Sequence, residues 1–98
     1  TYSEMKYELG LQHGIQQGLQ QGIQQGLQQG RFEGLLEEAQ EMVLEVIEVK
    51  LGEVPKRLEE QIKAETDREK LKKLHRELIL TTNPVEVIQR FGYKVNET

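Results

Sequence analysis

The residues able to do chemistry in this chain are few and scattered. His13 and His75 are the only histidines, they lie in different segments, and there is no cysteine. Thiolate metal sites are thereby excluded, and an imidazole site would need ligands that neither histidine has beside it in sequence. His13 stands where later repeats of its segment carry Gln, which makes it a polar interface residue, and His75 is expected on an exposed face. Lys70, Lys72, Lys73, His75 and Arg76 form a basic run of the kind that contacts phosphate or an acidic partner. Asp67, Glu69 and Glu77 interleave with it, and the net charge is −4, so a solvated helix face is the better reading and nucleic acid is not an expected partner of this segment. Glu37, Glu38, Glu41, Glu45 and Glu48 fall on one side of a helical pattern rather than converging, so they too read as solvated. With no serine placed as a nucleophile and no phosphate loop, the sequence predicts no catalytic residue, no metal and no cofactor.

What organises the chain instead is a repeat. Gly10, Gly14, Gly18, Gly22, Gly26, Gly30 and Gly34 recur at every fourth residue, and the first five are followed by Leu11, Ile15, Leu19, Ile23 and Leu27. Gly and Gln are common in disordered linkers, so a low-complexity linker competes with a helix carrying a glycine stripe. The register decides for the helix, because a linker has no reason to keep the aliphatic series in step with the glycines, whereas a helix turns the two series into adjoining stripes. Each interior glycine costs about 1 kcal/mol relative to alanine, on the order of 7 kcal/mol for the repeat. Self-association is the expected source of compensation: small residues let two backbones approach closely while the Leu/Ile stripe leaves water. The paired Gln residues of the four units from Gly14 to Gln29 exclude a lipid setting, so this reads as an aqueous glycine zipper. A period of four residues drifts by roughly 40° per repeat and predicts right-handed wrapping.

Beyond Gly34 the apolar spacing changes to threes and fours at Leu35, Leu36, Ala39, Met42, Val43, Val46, Ile47 and Leu51, the ordinary amphipathic pattern. Gly52 is placed to end this helix and Pro55 to open the next, which runs to about Ala64 with Leu58 and Ile62 inward. Thr66 and Glu69 read as a capping box opening a third helix, with Leu71, Leu74, Leu78 and Ile79 on one side and an end near Thr81. Asn83, Pro84 and Glu86 open a last helix through Phe91 that Gly92 ends, and residues from Tyr93 onward are expected to be loose. The expected fold is therefore all-α. A long glycine-zipper helix over 1–51 is followed by a cap of three short helices over 52–98, in an oligomer for which a dimer is favoured.

Composition sets the outer bounds. Ninety-eight residues with 36% hydrophobic and 31% charged content leave little apolar surface to bury within a monomer. No apolar run approaches the roughly 18 residues of a membrane span, no signal peptide is evident, and the lack of cysteine fits a reducing cytoplasm. The start at Thr1 without Met points to a fragment or a processed product.

The segment Leu44 to Phe91 resembles the helical region that ends proteins of the recombination-promoting nuclease (Rpn) and related putative-transposase group. The phrases that carry the likeness are Val-Ile-Glu-Val-Lys-Leu-Gly-Glu-Val-Pro at 46–55, Leu-Glu-Glu-Gln-Ile at 58–62 and Leu-Lys-Lys-Leu at 71–74. The resemblance implies a PD-(D/E)XK nuclease domain upstream, with the glycine-repeat helix as its connection to this end. The nuclease carboxylates and Lys are not in this chain, so no catalytic residue carries over. It also implies that such an end, made separately, inhibits the full-length nuclease as an antitoxin would. The glycine repeat alone is similar to that of flagellar assembly protein H, a regulator of an export ATPase, and the alternative is a structural adaptor of that type. That family ends in an α/β domain, and no strand pattern is present here.

Overall fold

The computed structural model describes residues 2–96, with side chains from Glu4 onward. Its elements are helices α1 (Tyr2–Leu51), α2 (Lys56–Ala64), α3 (Arg68–Leu80) and α4 (Pro84–Arg90), and no strand occurs among the described residues. The chain divides into two compact units, Thr1–Glu33 and Gly34–Thr98. The second begins well before the break at Gly52, because the last turns of α1 supply Ala39, Val43 and Ile47 to its core.

In the first unit every side chain from Glu4 to Glu33 is exposed. The backbone is helical nonetheless, as the register of the repeat requires.

The second unit closes around Val43 and Ile47 of α1, Leu58 and Ile62 of α2, Leu71, Leu74 and Leu78 of α3, and Ile88 of α4, all fully buried. Each helix end has a local cause. Gly52 adopts φ +86° and its N–H donates to the Glu48 carbonyl at 2.8 Å, a left-handed stop that ends α1. Gly92, at φ +92°, donates to the Gln89 carbonyl at 3.0 Å, and the Tyr93 N–H donates to that of Ile88 at 3.2 Å. That pair is a Schellman motif, with Ile88 and Tyr93 as its buried apolar partners. Asn83 caps α4 by accepting from the Glu86 N–H at 3.3 Å, and the Asn83 N–H is taken by Thr81 Oγ1 at 3.0 Å rather than by the Glu86 carboxylate. At the end of α3, which has no basic residue in its last turn, Lys50 of α1 reaches the carbonyls of Ile79 and Thr81 at 3.4 and 3.2 Å.

Several expectations are corrected. Helix α3 is capped by Asp67, which accepts from the Lys70 N–H at 3.2 Å; Thr66 lies one residue before the cap, where its own N–H and that of Asp67 donate to the Glu65 carboxylate. Ile79 is 52% exposed, since the core-facing arc of α3 is filled by Leu71, Leu74 and Leu78, and Met42 is exposed as well. The tail is not loose at Tyr93: both Tyr93 and Val95 are buried. Gln61 holds the tail with two bonds, accepting from the Lys94 N–H at 3.0 Å and donating to its carbonyl at 2.7 Å.

A Cβ at Gly92 would meet nothing within 4 Å, so Gly92→Ala carries only the cost of a left-handed backbone, about 1 kcal/mol. Leu74→Ala, which empties core volume, is expected to cost about 2–5 kcal/mol. Urea unfolding at a fixed protein concentration checks both, and equal losses would contradict this division.

Candidate functional site

No group of three or more His, Asp or Glu able to hold a metal occurs among the described residues, and no helix among them is long and apolar enough to cross a membrane. His13 is exposed on α1, whereas His75 is half-buried between α1 and α3 rather than on the open face. Glu37, Glu38, Glu41, Glu45 and Glu48 are all exposed, as expected.

One ionisable cluster is well organised. Tyr93 donates its hydroxyl to Glu65 Oε1, Lys70 Nζ lies 3.2 Å from the same oxygen, and that ammonium sits 4.6 Å from the Tyr93 ring centre. Gln40 of α1 donates to the Glu65 carbonyl at 2.8 Å. The Tyr93 hydroxyl, joined by Lys70 and the Asp67 N–H, holds the Glu65 carboxyl below its ordinary range. Burial, reinforced by the negative charge of Glu65, pushes the Tyr93 phenol well above its own. A carboxylate held ionised by a tyrosine held neutral has no poised proton to exchange near neutral pH, so the cluster is a clasp between α1, the turn before α3 and the tail.

The expected interface residues lie in the first unit, save Gly34, which opens the second. Leu11, Ile15, Leu19, Ile23 and Leu27 are 53–69% exposed. A Cβ added at any of Gly10, Gly14, Gly18, Gly22, Gly26, Gly30 or Gly34 would meet nothing within 4 Å, and none of these glycines has positive φ. Neither crowding nor backbone conformation within the chain therefore calls for glycine at these positions.

Sequence reasoning did not anticipate a groove of about 330 Å³ between α1 and α3. Leu35, Ala39, Met42 and Leu71 line it with apolar surface, Arg68, Lys72, His75 and Arg76 border it from α3, and Glu38 borders it from α1. The basic run of α3 is thus split. Lys70 turns to the Glu65 clasp, while Arg68, Lys72 and Arg76, spaced by four, share the groove. That spacing was the available signal, but only the pairing of α3 with α1 makes a groove of it.

No family model matches the chain, and no curated protein or solved structure matches it significantly.

Both ends of the pH scale should act on the clasp. The depressed Glu65 carboxyl gives stability that is present above the ordinary carboxylate range and lost as pH falls through its folded value. The raised Tyr93 phenol gives stability present below its ordinary value, about 10, and lost as pH rises beyond it. Tyr93→Phe is expected to lower stability at pH 7 by about 1 kcal/mol and to flatten both limbs of the stability profile. Thermal unfolding from pH 3 to 11 measures this, and parallel profiles for the two proteins would refute it.

Proposed function

We propose that this chain is a non-catalytic self-association module, in which the glycine-repeat helix pairs with a second copy. The observation that carries the reading is a contrast along one series. Counting by fours from Leu11 gives Ile15, Leu19, Ile23 and Leu27, then Leu35, Ala39, Val43 and Ile47 after Arg31. Ala39, Val43 and Ile47 are buried by the chain's own short helices, whereas Leu11 to Leu27 have no cover within the chain. The glycines beside them have no role within it either. A second copy answers both needs: it covers the aliphatic stripe and uses the close approach that glycine permits.

The finer proposal rests on the resemblance of residues 44–91 to the ends of Rpn-type nucleases. In that setting the chain is the oligomerisation and regulatory region of such an enzyme, and when present separately it inhibits the parent by forming mixed assemblies. The same stripe in fragment and parent is self-complementary, so mass action lets one replace the other.

The triple variant Gly18→Leu, Gly22→Leu, Gly26→Leu tests the stripe, since it raises helix propensity while holding backbones apart. Sedimentation should show the native chain associated at micromolar concentration and the variant weakened by at least about tenfold, equivalent to roughly 1.4 kcal/mol. A helical monomer for the native chain, or unchanged association of the variant, would defeat the proposal. Co-expression with an Rpn-type parent, scored for pull-down and nuclease toxicity, extends the test: the native chain should protect and the variant should not.

A further inference from the structure

Within the second unit, the basic groove between α1 and α3 has its electrostatic complement on the same unit. Arg68, Lys72 and Arg76 stand at four-residue spacing along α3. Among the described residues Arg68 and Arg76 make no ion pair, Arg68 Nε is buried without a hydrogen-bond partner, and Lys72 has only Glu69 at 3.9 Å. On α1, Glu37, Glu41 and Glu45 stand at the same spacing, exposed and without ion pairs among the described residues; Glu41 and Glu45 border the cleft on the α2 side, and Glu45 also borders the one beside His75 and Ile79 of α3. Helices α1 and α3 run side by side in the same direction: Arg68 and Leu71 share a groove with Leu35 and Ala39, and Lys50 reaches Ile79 and Thr81. Arg68, Lys72 and Arg76 thus lie at successive levels of the α1 segment that carries Glu37, Glu41 and Glu45.

We infer that the occupant of this groove is α1 of a second copy, in a parallel pair whose Glu37, Glu41 and Glu45 meet the Arg68, Lys72 and Arg76 of the first. The inference rests on the self-association proposed above and adds its direction and a second contact surface. A two-fold axis along α1 turns the side of each α1 that faces away from its own α3 toward the α3 of the other copy, at the same level. The acidic ladder then meets the basic one twice, once on each side of the axis. An antiparallel pair would set groove against groove and bring the two basic rims together, where like charges repel. Leu35 and Met42, with the exposed Val49 further along α1, give the incoming helix an apolar seat between the ladders.

Exchange of charge between copies is the test. One variant carries Arg68→Glu, Lys72→Glu and Arg76→Glu; the other carries Glu37→Lys, Glu41→Lys and Glu45→Lys. All six positions lie outside the core, and circular dichroism verifies that both variants fold. By sedimentation in low salt, each alone should associate at least about tenfold more weakly than the native chain, while their 1:1 mixture should recover most of the loss. Raising the salt should shrink the differences. If the native chain associates but each variant associates as tightly as it does, or mixing recovers nothing, the charge ladder is overturned while the glycine stripe stands. A monomeric native chain overturns both. A native dimer insensitive to these charges, together with capture of an added acidic helical peptide at the basic rim, would assign the groove to a different partner and also overturn the inference.

Discussion

Glycine inside a helix loses more conformational freedom on folding than any other residue, and alanine would avoid that loss at every one of the seven positions of the repeat. The open space around each Cβ position shows that alanine would fit within the chain without contact. A helical stretch that keeps glycine under those terms carries a cost that no contact among the described residues offsets. A helix of Gly, Gln and single aliphatic residues has one narrow apolar stripe and little else to bury.

Along one count of residues the two stretches differ in what the chain supplies. At Ala39, Val43 and Ile47 the every-fourth series meets helices supplied by the same polypeptide, and the glycine series gives way to Glu38, Met42 and Val46, so no close backbone approach is called for. At Leu11 to Leu27 no such helices are supplied, and glycine lines the neighbouring stripe. Bulk on one stretch fits side chains packed at ordinary helix separation, and its absence on the other leaves the backbone open to closer approach than side chains allow.

The parts legible in the sequence were those fixed locally. Gly52, Asn83 and Gly92 act within a turn of where they stand, so their identity was enough to place the helix ends. The heptad-like spacing of Leu71, Leu74 and Leu78 likewise picked out the buried arc of α3. What escaped depended on residues distant in sequence. Thr66 had the right type for a cap, but the helix starts one residue later, with Asp67 as its cap and the Thr66 N–H donating to the carboxylate of Glu65. Tyr93 follows a helix-stopping glycine and reads as the start of a frayed end, until Glu65 and Gln61 are brought beside the tail from α2 and the turn after it. The groove needed α1 and α3 to be paired, and the four-residue spacing of Arg68, Lys72 and Arg76 within α3 does not by itself place it. The glycine stripe was legible as a pattern, and its exposure is what the structure adds.

Glu65 deserves a last consideration for how the second unit would come apart. Its carbonyl holds Gln40 of α1, one carboxylate oxygen holds Tyr93 and Lys70, and the other holds the backbone that leads into α3. Three stretches of chain separated by 25 to 28 residues therefore share one anchor. Releasing the tail leaves Tyr93 and Val95 wet and removes a donor from the same residue that positions α1 against the start of α3. Amide hydrogens in the tail and in the first turn of α3 would then exchange through a common opening rather than by independent fraying, and the last few residues would share the protection of the core they clasp.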